Sequence, residues 1–173
     1  MHELILGGAR SGKSAHGEAL AAQSACKVIY IATAQVHNDS EMHSRIEAHQ
    51  TRRPADWGLI EAPLALGDAI ALNARADRLL LVDCLTLWLT NLLLDGEQRF
   101  TIERARLLEA LEIASGRVVM VSNEVGQGVV PMNSLSRRFV DEAGRLHQVL
   151  AKHCQRVWWV VAGLPQCLKD DVS

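Results

Sequence analysis

Eight consecutive residues near the amino terminus, Gly7-Gly8-Ala9-Arg10-Ser11-Gly12-Lys13-Ser14, fit the pattern G-x-x-x-x-G-K-[ST]. Glycines let the backbone turn tightly and face its N–H groups inward, toward phosphate oxygens. A helix that starts where the loop ends aims its positive pole at the same anion. In that arrangement Lys13 reaches the β- and γ-phosphates of a nucleotide, and the Ser14 hydroxyl ligates Mg2+. A chance match in a glycine-rich turn is the competing reading. The apolar run before the loop and the helix-forming run after it argue against chance. A second oxygen ligand for Mg2+ belongs at the end of a buried strand. Asp83 closes the apolar run Leu79-Leu80-Leu81-Val82 and fits that place. Its plainer alternative role is to cap a helix starting at Leu85.

Two further stretches carry reactive side chains. In residues 40–53 (SEMHSRIEAHQTRR), Arg45, His49 and Arg53 share one face if the segment is helical. A neutral imidazole between guanidinium groups is suited to attack on phosphorus. The cations lower its pKa and neutralise the phosphates being displaced. From spacing alone, a solvated basic face with an incidental histidine is the simpler account. Further on, Asn123-Glu124 follow a strand-like run, where open α/β sheets bind their ligands. Glu124 is a candidate base for a substrate hydroxyl. A turn built on Gly126 and Gly128 is the structural alternative.

The elements that must position these residues alternate. Strands are expected at Glu3–Leu6, Lys27–Thr33, Trp57–Glu61, Arg78–Cys84, Val118–Ser122 and, last, Val157–Ala162. Helices are expected at Ser14–Gln23, Ser40–Arg53, Leu64–Asn73, Leu85–Leu94, Thr101–Ser115 and Ser134–His153. Continuous apolar strands imply a sheet covered on both faces. The βαβα order implies a mostly parallel, doubly wound α/β sheet. With the phosphate loop, this predicts one P-loop (RecA-like) nucleotide-binding domain over residues 1–173.

Composition narrows the function classes. The chain has 173 residues and a net charge of −2, from 18 Lys+Arg against 20 Asp+Glu. That speaks against a broadly basic nucleic-acid or membrane-surface binder. Aromatic residues make up 4%, too few for a base-stacking platform. The most apolar stretch, Leu79 to Leu94, is broken by Asp83, Thr86, Thr90 and Asn91, so no membrane insertion is expected. Cys26, Cys84, Cys154 and Cys167 have no metal-ligand spacing and read as reduced thiols of a cytoplasmic protein.

The ordered set of motifs resembles the bifunctional adenosylcobinamide kinase / adenosylcobinamide-phosphate guanylyltransferase family. The resemblance rests on GGARSGKS (7–14), YIATA (30–34), EM-x-x-RI-x-x-H (41–49), RRPADW (52–57) and VDCLTLWLTNLL (82–93). It continues through SNEVGQGVVP (122–131), RRFVDEAGRLHQ (137–148) and VVAGLP (160–165), so it spans nearly the whole chain. It implies that ATP or GTP phosphorylates adenosylcobinamide. GTP then yields a histidine–GMP intermediate, and GMP passes to adenosylcobinamide phosphate. A covalent intermediate splits one displacement into two easier ones.

Carried onto this chain, the resemblance implies that Gly7 to Ser14 bind nucleotide, with Ala32, Thr33 and Ala34 beside them. It implies His49 as the guanylylated nucleophile. Some relatives have two adjacent histidines where this chain has Ala48-His49, which leaves a kinase-only relative as a rival. Arg52 and Arg53 would contact GTP phosphates. Glu61 would accept from the N1–H and N2–H edge of guanine, or contact the ribose. For Glu61, an exposed charge at a strand end is an equal alternative. Mg2+ is the implied cofactor and a homotrimer the implied assembly. A rival from another class is a nucleotide-switched ATPase acting on a macromolecular partner, which the charge and the scarce aromatics weigh against.

Overall fold

The computed structural model describes residues 1–35 and 54–172. The helix expected over residues 40–53 lies outside them.

Strand β1 (His2–Gly7) runs into the glycine-rich loop and helix α1 (Lys13–Ala22). Then follow β2 (Lys27–Ala32), β3 (Gly58–Glu61) and α2 (Leu66–Asn73). After these come β4 (Arg78–Asp83), α3 (Leu85–Asp95) and α4 (Glu97–Ile113). The chain continues with β5 (Arg117–Asn123), α5 (Ser134–His153), β6 (Arg156–Val161) and β7 (Leu164–Asp170). Among the described residues the strands form one seven-stranded sheet in the order β3-β2-β4-β5-β1-β6-β7. Every pairing is parallel except β6 with β7. The expected single α/β domain with a mostly parallel sheet is the fold observed.

Successive residues of a strand point to opposite faces, and the two faces are packed differently. Leu4, Ile31, Leu80, Val82, Val118 and Met120 face a large core closed by α2, α3, α4 and α5. Ile5, Tyr30, Leu79, Leu81, Val119 and Val121 face a smaller core. Among the described residues only α1 supplies a helix there, through Ala21 and Leu20. Gly17 sits where α1 crosses the sheet. A Cβ added to it would lie 3.1 Å from Leu81 and 3.2 Å from Val121, so the helix rides close on the strands.

Three expectations change. Val157–Ala162 is not the last strand: β7 follows and lies antiparallel on β6, joined by the two-residue turn Ala162-Gly163. Both turn residues have positive φ (51° and 79°), the geometry that suits the twist of a tight hairpin. Helix α4 begins at Glu97 rather than Thr101, directly after Gly96, which has φ 127°. Asp83 does not cap α3. The N-cap is Cys84, and no side chain caps that end.

Candidate nucleotide and catalytic site

Parallel strands bring their carboxyl ends to one edge. The registers align Glu61 with Ala32, Ala32 with Asp83, Asp83 with Val121, and Asn123 with Gly7. The phosphate loop therefore shares an edge with the candidate acid at Asp83, with β5 between their strands.

The loop is held from inside and from outside. Gly7 has no room for a side chain: a Cβ would lie 2.6 Å from the Val160 carbonyl oxygen and 2.5 Å from Ser11 Oγ. Arg10 (φ 56°) and Gly12 (φ 95°) turn the backbone through the left-handed region. The Ser11 N–H donates to the Gly8 carbonyl at 3.3 Å. On the outer side the β6–β7 turn closes against the loop, and the Gly163 N–H donates to the Ser11 carbonyl at 2.8 Å. A Cβ on Gly12 would come within 3.0 Å of Gly163 Cα.

Lys13 opens α1 and is buried. Its Nζ donates to the Gly8 carbonyl at 3.2 Å, so the ammonium lies folded over the loop. Burial pushes its pKa below the usual lysine value, and the nearby Asp83 carboxylate opposes that shift. Ser14 follows in the first helical turn. A hydroxyl and one carboxylate are hard oxygen donors, the kind Mg2+ takes alongside phosphate oxygens and water. Among the described residues no three His, Cys, Asp or Glu side chains gather as a metal cage. A divalent ion at Ser14 and Asp83 would thus complete its shell from nucleotide and solvent.

The β2 end is built differently. Thr33 is fully buried, and its hydroxyl donates to the Cys84 carbonyl at 2.7 Å while accepting from the Cys84 N–H at 2.9 Å. Asn91 of α3 donates to the Thr33 carbonyl at 2.9 Å. The Thr33 side chain thus ties β2 to the end of β4 and fixes Asp83 beside the loop. Ala32 and Ala34 stay half-buried at the edge. Glu61 is exposed and stands four strands from β1, roughly 19 Å at the usual spacing of about 4.8 Å. His49, Arg52 and Arg53 lie outside the described residues, as does His43, the other histidine of that stretch.

Sequence reasoning missed two parts of the site. One is the brace at Gly163, signalled only by a glycine directly after the apolar run. The other is the buried pair Ser122–His147 that stands behind the candidate base Glu124 at the β5 edge. Ser122 Oγ lies 2.7 Å from His147 Nε2 of α5, and His147 Nδ1 faces Glu124 Oε2 at 3.4 Å. Trp88 and Trp158 hold structural positions: Trp88 is buried and donates to the Leu64 carbonyl, and Trp158 donates to buried Glu3.

A glycine-rich loop between strand and helix, with an acidic strand end one strand removed, defines a phosphate-loop nucleotide-binding protein of the RecA-like class. Solved structures agree on the fold. The RadB recombinase superposes with a TM-score of 0.53 at 15% identity, covering 91% of this chain and 73% of that one. A protein from Pyrococcus horikoshii OT3 superposes with a TM-score of 0.53 at 9% identity, covering 98% and 86%.

Within that class, residues 3–168 match the family described as cobinamide kinase / cobinamide phosphate guanyltransferase, and the chain belongs to it. It is 59% identical to the bifunctional adenosylcobalamin biosynthesis protein CobP of Pseudomonas aeruginosa, over 99% of both chains. It is 41% and 43% identical to the corresponding CobU proteins of Escherichia coli and Salmonella typhimurium, each over 93% of this chain and 96% of the relative.

Proposed function

We propose that this enzyme carries out both reactions of its family at the carboxyl edge of the sheet. ATP or GTP first phosphorylates the aminopropanol hydroxyl of adenosylcobinamide. GTP then guanylylates an enzyme histidine with release of pyrophosphate, and the GMP passes to adenosylcobinamide phosphate to give adenosylcobinamide-GDP. The observation that carries this reading is the braced loop with Lys13 folded over it and Asp83 alongside. For the phosphoryl transfer the loop itself has little covalent chemistry to perform. It positions phosphates and neutralises the charge that develops on them.

In this reading the backbone of Gly7 to Gly12 cradles the phosphates and Lys13 swings from the Gly8 carbonyl onto them. Ser14 and Asp83 would hold Mg2+, which neutralises charge on the transferring phosphates when bound. His49 is the guanylylated nucleophile, and Arg52 and Arg53 offset charge on GTP. Glu61, so far from the loop, suits the base or ribose end of the nucleotide rather than its phosphates. The four free cysteines fit a reducing compartment, which supports the cytoplasm. We also infer a homotrimer. The exposed Val129, Val130 and Met132 ahead of α5 are apolar surface that such an assembly would cover.

The test is to incubate the protein with α-labelled GTP and Mg2+, denature it, and look for acid-labile, alkali-stable label. Label present on wild type and on His43→Ala, but absent from His49→Ala, supports the transferase half and its nucleophile. An unlabelled wild type that still phosphorylates adenosylcobinamide would leave a kinase alone.

A further inference from the structure

We propose that Glu124 accepts the proton of the acceptor hydroxyl during phosphoryl transfer, and that His147, anchored by Ser122, is the residue that positions Glu124. The inference rests on the kinase reading above and adds a base that the phosphate loop does not contain.

Glu124 stands at the right place. It follows the last residue of β5, and its N–H donates to the Gly7 carbonyl at 3.0 Å, so it sits beside the first turn of the phosphate loop. Its side chain is oriented rather than free. Oε1 accepts from the Gly126 N–H at 2.5 Å, and Oε2 faces His147 Nδ1 at 3.4 Å. A carboxylate offers about four lone-pair sites, so a substrate hydroxyl can still bind. The carboxylate is 19% exposed and His147 only 7%: one end of the chain meets solvent at the sheet edge and the other is buried.

The buried end fixes the direction of the chain. His147 Nε2 meets Ser122 Oγ at 2.7 Å, while among the described residues Nδ1 makes no hydrogen bond and faces Glu124 Oε2 at 3.4 Å. A tautomer with hydrogen on Nδ1 suits both neighbours: Ser122 donates to Nε2, and the Nδ1–H faces the carboxylate across a 3.4 Å gap, as catalytic contacts often do before substrate binds. Burial pushes the His147 pKa below the ordinary imidazole value, with Glu124 opposing, which favours the neutral ring that this arrangement needs. The step balances simply. The hydroxyl oxygen bonds to the γ-phosphorus, its proton goes to Glu124, and the bond to the β-phosphate oxygen breaks with its electron pair leaving on the nucleoside diphosphate. A positioned general base contributes about 100- to 10,000-fold.

The experiment compares wild type with Glu124→Gln, His147→Ala, His147→Asn and His147→Gln. Steady-state kinase rates are measured with ATP and adenosylcobinamide, and the GMP label from α-labelled GTP is measured in parallel. Glu124→Gln is expected to lower kinase kcat at least about 100-fold with nucleotide KM within about twofold and the GMP label retained. His147→Ala is expected to lose about 10- to 100-fold in kcat. His147→Asn, whose amide replaces the Nδ1 donor, recovers most of that loss, and His147→Gln, whose amide reaches Ser122 instead, does not. Full kinase activity in Glu124→Gln overturns the base. Equal losses in all three His147 variants mean a purely structural histidine and overturn the positioning role. A wild type without kinase activity removes the kinase reading and this inference with it.

Discussion

The two faces of the sheet are built to different purposes. One carries four helices and a core that includes buried Trp88, Leu85, Leu89, Ile70 and Leu107. The other, among the described residues, carries α1, a helix of small residues drawn close to the strands at Gly17. The large face has more packing to lose, and its helices reach the site through a few polar side chains, Asn91 of α3 at Thr33 and His147 of α5 at Glu124. The small face has no such slack. The same helix that packs there also presents Lys13 and Ser14 to the phosphate, so any change in its height moves the chemistry. Nucleotide binding is thus tied to packing more tightly on the small face than on the large one.

The sharpest way to break that contrast is Trp88→Ala. It empties a fully buried site and leaves the Leu64 carbonyl without its indole donor. We expect a loss of about 3–5 kcal/mol in denaturant unfolding, with nucleotide Kd within about twofold at temperatures where the variant is folded. A variant that loses nucleotide affinity as steeply as stability would show the faces to be coupled. Gly17→Val asks the converse. Its side chain meets Leu81, Val121 and Ile5 at 3.1–3.4 Å from the Cβ position alone. Overpacking of this kind costs about 1–3 kcal/mol, and lifting α1 should weaken nucleotide binding by more than that stability loss accounts for. Equilibrium dialysis beside a melting curve separates the two. Affinity preserved in a destabilised Gly17→Val protein would mean that α1 tolerates displacement.

Acid sharpens the contrast further. Burial pushes the pKa of His2, His16 and His147 below the ordinary 6.5. The unfolded chain therefore takes up these protons first, so stability is complete above about pH 6.5 and is lost as pH falls through that value toward the lowered pKa values. His2 meets the Leu111 carbonyl of α4 and His147 lies in α5, both on the large face. His16 stacks edge-on against Trp158 at 5.0 Å on the small one. Melting curves at pH 7.5 and 5.5 should show the loss, and His16→Gln should retain most of it. A flat profile would place all three rings in contact with water.

What could be read without the structure follows the range of the interactions. The phosphate loop is local chemistry at fixed spacing, so Gly7 to Ser14 could be assigned at once. Asp83 was equally visible, as a charge at the end of an apolar run. Strand β7 was hidden: it contains Pro165, its residues are mostly exposed, and no alternation marks it. Such an edge strand leaves little in its sequence. Ser122, Glu124 and His147 meet only through the packing of α5 on the sheet, across 25 residues between Ser122 and His147. No periodicity announces that meeting. Thr33 lies just past the end of β2, and its hydroxyl turns inward to Cys84, a choice made by the neighbouring strand rather than by the local sequence.

The hairpin tests the boundary between the two kinds of region, since β7 is mostly exposed and yet its turn touches the loop. Gly163 has φ 79° and open space where a Cβ would stand, so Gly163→Ala meets backbone strain and no clash. The expected cost is about 1–2 kcal/mol, a few degrees in melting temperature. If the Gly163 N–H to Ser11 carbonyl bond braces the loop, nucleotide affinity should fall as well, because an unbraced loop must be ordered when the phosphate arrives. Gly163→Asn, which tolerates the left-handed region, should restore both. A Gly163→Ala protein that melts lower but binds nucleotide as wild type does would make the turn a local fold feature. The loop would then owe its shape to Gly7, Gly12 and the Lys13 bond to Gly8 alone.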